Sequence, residues 1–356
     1  MNTTIRRKKH QGYLNFLIKL RRKKLLKVPR KYKSRLAALK SVLKNPKNKF
    51  FFVAGHQRPD GDAIGGCLAV YSILRRLKKD VFLCNFDTVP SFLKFLPNSS
   101  KLKNIKKTDR KFDVAIILEC SELSRLGNII NPKKQSKITV NIDHHANVRK
   151  WADINWTDSS SSSVSEMIFY LFRFLELPLT KEEATSLYVG IVTDTHNFTQ
   201  TNTNSQSHII ASELLRNGVE PPVIEKNVYG TKSLNALRLL GVSLANIKID
   251  STGKIAYIQI TNKNFCKTKT TPEDTEDIIN YAGMVPGVLV WLLFRETEKK
   301  NFIKVSFRSV KDIDVHKIAG TFGGGGHRNA AGCTVKGTMP EVIDIVLSVV
   351  EKELKK

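Results

Sequence analysis

The chain has 356 residues, 41% of them hydrophobic, enough for two domains that each bury a core. No apolar run reaches the roughly 18 residues of a membrane-crossing helix, and five cysteines without a C-x-x-C pair suit small buried thiols in a reducing cytoplasm, not a disulfide framework. The net charge of +27 is concentrated: residues 1 to 50 hold eighteen Lys or Arg and no Asp or Glu, which leaves +9 for the other 306 residues.

In chain order, residues 1–47 read as a basic N-terminal extension in which Tyr13, Phe16, Leu17 and Leu20 interleave with the charges. Such a segment can bind RNA or a ribosome through phosphate contacts, or lie on an anionic membrane surface. Its lack of acids also fits an organellar transit peptide, and a Lys-rich tail without a specific role is the plain alternative. From residue 48 the texture changes. Strands are predicted at 50–55, 80–86, 112–120 and 137–145, with helices at 63–79, 163–176, 181–195 and 205–218. Strands alternating with helices predict an α/β domain over 48–220, with a parallel sheet covered by helices on both faces. The serine run 159–163 reads as a loop and helix cap.

The pattern breaks at Pro221 and Pro222, and 221–244 reads as a helical linker and interdomain hinge. Residues 245–356 then predict a smaller α/β domain. Its strands fall at 254–261, 287–296 and 302–310, and its helices at 271–283 and 340–354.

Ligands of open parallel sheets gather at the carboxyl ends of the strands. The first strand is followed by His56, Asp60 and Asp62, and the run 114–118 by Glu119. The strand "KITVNI" is followed by Asp143, His144 and His145, and the segment "SLYVGIVT" by Asp194. Each residue alone reads as an ordinary loop histidine or helix cap. Together they bring at least four acids and two imidazoles into one volume, where like charges repel unless protons or divalent cations intervene. Carboxylate and imidazole ligands without thiolate suit Mn, Mg, Fe or Co better than a closed structural zinc site. Two such ions about 3.5 to 4 Å apart need a bridging acid and can ready a water for in-line attack on phosphorus. Glu119, at the end of a central strand, is the natural bridge.

In the second domain the stretch "FGGGGHRNAAG" contains Gly324, Gly325, Gly326 and His327, followed by Arg328 and a helix-compatible segment. Glycines admit a phosphate close to backbone amides, and a following helix start would add its positive end; a tight turn is the other reading. Upstream, two-residue alternation puts Ser306 and Arg308 on one strand face, with the guanidinium suited to bidentate phosphate contact.

The stretches "HQRPDGDAIGG", "LECSELSRLG", "NIDHHANV", "GIVTDTHNF" and "GGGGHRNAAG" occur in this order across roughly residues 48 to 350. Together they resemble the signatures of the DHH phosphoesterase family, in its branch of bacterial oligoribonucleases (nanoRNases) and pAp phosphatases. The resemblance implies a DHH domain and a DHH-associated domain with the active site in the cleft between them. It implies one metal held by His56, Asp60 and Glu119 and a second by Asp62, Glu119, His144 and Asp194. Two divalent ions are then expected, manganese as the usual occupant and magnesium or cobalt as alternatives. His145 would face the scissile phosphate, Asp143 would orient an imidazole, and Arg308, Ser306 and the glycine loop with His327 would grip the far part of the substrate. The implied partners are very short RNA, pAp or linear dinucleotides, and a homodimer is compatible with the resemblance. This chain departs from the family pattern at Glu119, where Asp is general, and at His196, where Gly is general. The extra methylene of Glu119 shifts its oxygens by about 1 Å, and His196 is expected to crowd the site or add a ligand. The alternative function is a catalytically weakened, nucleic-acid-binding DHH protein that works through its basic arm.

Overall fold

The computed structural model describes residues 27–146, 148–230, 232–275, 277–310 and 312–355, with only the backbone of His327. The basic segment 1–26 lies outside the described residues. Two compact units divide the chain, one ending at Thr231 and one beginning at Lys232.

The first unit is built on six parallel strands in the order β3-β2-β1-β4-β5-β6: Phe50–Ala54 (β1), Asp80–Asn85 (β2), Lys103–Asn104 (β3), Phe112–Leu118 (β4), Ser136–Asp143 (β5) and Ile154–Thr157 (β6). The continuous apolar runs are explained by burial on both faces. In β1, Phe51 and Val53 pack into the larger core with the helices, whereas Phe52 and Ala54 join a second cluster with Phe82, Phe112, Ile117 and the partly buried Trp151. The strand order reverses between β1 and β4, which is the switch point where open sheets bind ligands. The helices Gly61–Arg76 and Lys181–Asp194 cross closely beneath this edge. A Cβ added at Gly190 would lie 2.0 Å from Ser165 Oγ and 2.6 Å from Asp62 Oδ1, so only glycine lets the second helix approach Asp62.

The helix Lys33–Lys44 falls inside the predicted basic extension, yet it is part of the first unit's core. Tyr32, Leu36, Leu39 and Leu43 are all buried, at the three- and four-residue spacing of one helix face, while Lys33, Arg35 and Lys44 stay in water. Burying each leucine contributes about 1.5 to 3 kcal/mol. The hydrophobic face decides the placement of this stretch, and the charge decides only which side faces outward.

The second unit carries a mixed sheet in the order β11-β12-β10-β9-β8-β7. Its strands are Lys248–Ile249 (β7), Ile255–Ile260 (β8), Val290–Glu296 (β9), Phe302–Ser309 (β10), Gly325–His327 (β11) and Ala330–Lys336 (β12). Only β8 and β9 run parallel. Alternation holds in β10: Val305 and Phe307 are buried in the core and the half-buried Ser306 and Arg308 share the opposite face. The expected helix after the glycine run is absent. Residues 325–327 pair antiparallel with 330–332 in a tight hairpin, and a Cβ at Gly324 would meet Gly332 O at 2.3 Å. Gly326 has φ 147°, open to glycine but strained for other residues. These glycines serve close strand approach, so no helix dipole points at the loop.

Candidate metal centre

Three adjacent strands of the first unit end at one edge, and each hands over polar side chains. Past β1, the turn carries His56, and Asp60 caps the helix Gly61–Arg76 by accepting from the amides of Asp62 and Ala63 through Oδ1. Its other oxygen, Oδ2, faces His56 Nε2 at 3.6 Å. The helix-cap reading and the ligand reading of Asp60 therefore use different oxygens of one carboxylate. Past β4 comes Glu119, which is 1% exposed and sits at φ 56°, a left-handed backbone that few non-glycine residues adopt. Asp143 ends β5, and His144 and His145 follow it. Asp194 closes the helix Lys181–Asp194, not a strand.

These residues form overlapping groups. His56, Asp60 and Glu119 bring ligand atoms within 4.8 Å of one another, as do Asp62, His144 and Asp194, and as do Glu119, His144 and His145. Glu119 lies between the first two sets: Oε2 is 3.7 Å from His56 Nε2, and Oε1 is 3.4 Å from His144 Nε2. His144 Nε2 is also 3.4 Å from Asp194 Oδ2. Such separations are long or marginal for hydrogen bonds. The two 3.4 Å separations fall within the roughly 3 to 3.5 Å expected of two ligands that each stand about 2.1 Å from a shared small cation, and the 3.7 Å separation lies just beyond it.

The tautomers point the same way. His56 Nδ1 faces Gln57 O at 2.7 Å, and His144 Nδ1 faces Ser161 O at 3.3 Å. A carbonyl only accepts, so each Nδ1 donates, and in the neutral ring each Nε2 is left with its lone pair toward the cluster. His145 Nδ1 likewise donates to Asp143 Oδ1 at 2.7 Å, and its backbone N–H donates to the same oxygen at 2.9 Å. Glu119 Oε2 and His144 Nε2 are buried atoms with no hydrogen-bond partner. Buried polar atoms left this way are costly, and a bound cation removes the cost.

The charges are equally crowded. Burial, then Asp60, Asp62 and Asp194, push the Glu119 carboxyl well above its ordinary pKa. Burial pushes Asp194 up to about 8, with Asp62 and Asp60 adding to the rise and His144 opposing it. Burial works to lower the pKa of His144, but Asp194, Asp62 and Asp143 outweigh it and raise it. Asp143 moves the other way: burial alone would raise it, and the hydrogen bond from His145 holds it below the usual range. Carboxylic acids kept protonated near neutrality beside the unpartnered Nε2 of His144 are what a divalent cation replaces.

Several structural partners were not evident in the sequence. Asp62 Oδ1 and Oδ2 accept from the amides of Ser165 and Val164, so the carboxylate is clamped at the start of the helix Val164–Phe174. Asn202 Nδ2 donates to Ser162 O at 2.9 Å and to Asp194 Oδ2 at 3.1 Å. The serine run is a cap, as expected: Ser163 Oγ accepts from Glu166 N. It is also the loop that supplies the carbonyl for His144. His196 belongs to none of the three ligand groups. With Asn197 and Phe198 it forms a left-handed turn (φ 46°, 55° and 63°), and its ring lies edge-on to Tyr229 with centroids 6.1 Å apart. Gly adopts that turn freely, so the departure at 196 falls on backbone conformation and not on the ligand groups.

In the second unit, Arg308 is half-buried and its Nη1 donates to Phe307 O at 3.0 Å. Burial lowers its pKa, with Asp277 opposing. Ser306 lies two residues away on the same face, and Gly324, Gly325 and Gly326 line the hairpin. The side chain of His327 lies outside the described residues.

The description "DHH family, N-terminal domain" matches residues 50–191, and the "DHHA1 domain" matches residues 252–356. A Thermus thermophilus protein named bifunctional oligoribonuclease and PAP phosphatase NrnA is 29% identical over 325 residues, 91% of this chain and 96% of its own length. An uncharacterised protein of Mycoplasma genitalium is 30% identical over 284 residues, 78% of this chain and 83% of its own. The crystal structure of an exopolyphosphatase-related protein from Bacteroides fragilis superposes with a TM-score of 0.80 at 29% identity, covering 91% of this chain and 96% of that one. No helix among the described residues is long and apolar enough to cross a membrane.

Proposed function

The chain belongs to the DHH family, and on that footing we propose that it is a divalent-metal-dependent phosphoesterase. Its substrates would be RNAs of a few nucleotides, cleaved to mononucleotides, and pAp, converted to AMP. One observation carries the reading: a single buried carboxylate, Glu119, stands 3.7 Å from His56 Nε2 on one side and 3.4 Å from His144 Nε2 on the other. That position supports reading Glu119 as a ligand shared by two cations. The names of the relatives supply the substrate class.

In this reading His56, Asp60 and Glu119 hold one cation, and Asp62, Glu119, His144 and Asp194 hold the other. Manganese is the first candidate, ahead of magnesium and cobalt. A pair of such ions, when bound, eases deprotonation of a water and neutralises charge on a phosphoryl group. The protein groups do the rest. Asp143 fixes the ring of His145 through Nδ1, so Nε2 would be the atom to face substrate, where it would hold or deliver the proton needed by the leaving oxygen. Arg308 and Ser306 are the second unit's candidates for holding a substrate phosphate, because a half-buried guanidinium loses less to competing water than an exposed one.

Purified protein supplied with manganese is expected to convert a labelled dinucleotide to mononucleotides and pAp to AMP, to cleave longer RNA more slowly, and to stop on addition of chelator. Absence of turnover with every divalent metal tried would reject the reading. RNA binding that survives chelator without hydrolysis would favour the nucleic-acid-binding alternative.

A further inference from the structure

The helix Lys33–Lys44 does more than bury leucines. The turn before it, Arg30–Tyr32, brings two side chains onto one carboxylate, Asp158, just past the carboxyl end of the edge strand β6. Tyr32 is 3% exposed, and its ring stands edge-on to Trp156, centroids 5.4 Å apart, and tilted on Tyr170 at 5.5 Å. Its hydroxyl donates a hydrogen bond to Asp158 Oδ2. Lys31 Nζ reaches the same oxygen at 2.6 Å and Ser160 Oγ at 2.6 Å. A phenol buried among aromatic rings needs one defined acceptor, and Asp158 supplies it.

Asp158 in turn sets the serine loop. Its Oδ1 accepts from Ser160 N at 3.1 Å and Ser160 Oγ at 2.8 Å, and its carbonyl accepts from Ser161 N at 3.1 Å. Its own N–H donates to the carbonyl of Asp143 at 3.1 Å. These bonds close a tight turn whose next carbonyl, Ser161 O, receives His144 Nδ1. The loop is held from the other side by Asn204, which donates to Ser160 O at 3.2 Å, and by Asn202, which bridges Ser162 O and Asp194. Holding an imidazole by its distal nitrogen fixes both tautomer and ring angle.

We infer that Tyr32, through Asp158 and the 158–161 turn, is a positioning residue for the Asp62, His144 and Asp194 ion group and not for the His56 and Asp60 group. No hydrogen bond of the serine loop reaches His56 or Asp60 among the described residues. The inference rests on the metal reading given above, and its test separates the two.

The experiment is a calorimetric titration of metal-free full-length protein with manganese chloride, comparing wild type, Tyr32→Phe and Leu39→Ala, with the unfolding temperature of each recorded. Tyr32→Phe keeps the ring and its packing and removes only the donor. Wild type is expected to bind two ions. Tyr32→Phe is expected to bind one as wild type does and the other severalfold more weakly, somewhat less than the roughly tenfold cost of removing the direct outer partner of a ligand histidine. Leu39→Ala, which loosens the same helix without touching Asp158, is expected to lower the unfolding temperature and leave the ratio of the two affinities unchanged. Two unaltered affinities in Tyr32→Phe, an equal loss at both ions, or the same selective loss in Leu39→Ala would overturn the inference alone. Wild type that binds no manganese would overturn the metal reading together with it.

Discussion

Glu119→Gln is expected to cut turnover by about a thousandfold, on the order of 4 kcal/mol of transition-state stabilisation, and at the same time to make the metal-free protein more stable at pH 8. The two effects share a cause. The glutamate is 1% exposed, its Oε2 has no hydrogen-bond partner, and burial together with Asp60, Asp62 and Asp194 raises its pKa far above the ordinary value. Without a cation the charged form is disfavoured; with cations on both sides that charge is needed. The sign follows from linkage. Below about pH 4 the carboxyl is protonated folded or unfolded, and its effect on stability is nil. As pH rises past the unfolded value, the unfolded chain gives up a proton that the folded chain retains, so the metal-free fold loses stability. Gln removes that loss, and the unfolding temperature should therefore rise at pH 8 and stay unchanged at pH 4. Parallel thermal melts and dinucleotide assays check both halves. A stabilised variant with near-normal turnover contradicts the bridging role.

Manganese is expected to bind more tightly as pH rises from 6 to 8 and to displace protons as it binds. Asp194 is held at about 8 chiefly by burial, Glu119 is raised by burial and its acidic neighbours, and His144 is raised by its acidic neighbours. Near neutrality the metal-free cluster therefore carries protons that a cation must expel. Affinity should gain up to about tenfold per pH unit for each proton displaced, with about one or two released per cluster. Stabilisation by a fixed excess of metal follows the same slope, about 4 kcal/mol at a thousand times the dissociation constant. Titrations at pH 7 in two buffers of different ionisation heat count the protons directly. Binding heats independent of the buffer would mean that the acids are already ionised, contrary to the crowding of the site.

What the sequence makes legible is tied to local signals. The apolar runs of β1, β4 and β5 are strong enough to fix the parallel sheet, and a chain that ends each run on His or an acid places those groups at the sheet's carboxyl edge. Ser306 and Arg308 share a face because strand alternation is strict. Other features depend on partners distant in sequence. Tyr32 and Asp158 are 126 residues apart, and nothing near either one announces the bond between them. Asn202 reads as a loop residue until the fold brings it to Ser162 and Asp194. The glycine run is ambiguous because the same residues serve a phosphate loop or a hairpin, and only the pairing with Ala330–Gly332 decides. The helix Lys33–Lys44 carries its apolar spacing in plain sight, but the dense charge around it is equally the pattern of a basic arm.

The two departures from the family pattern resolve differently. Position 119 has a left-handed backbone, which Asp tolerates better than Glu, so the longer side chain here combines backbone strain with added reach. At 196 the cost falls on a turn made of three consecutive positive φ angles, outside the ligand groups.

The sharing of Glu119 by two cations is tested most directly by anomalous diffraction at the manganese edge from crystals soaked in manganese. Two peaks are expected, one among His56, Asp60 and Glu119 and one among Asp62, His144 and Asp194, each within bonding distance of a Glu119 oxygen. No peak at either group, or peaks that leave Glu119 uncoordinated, would contradict the account.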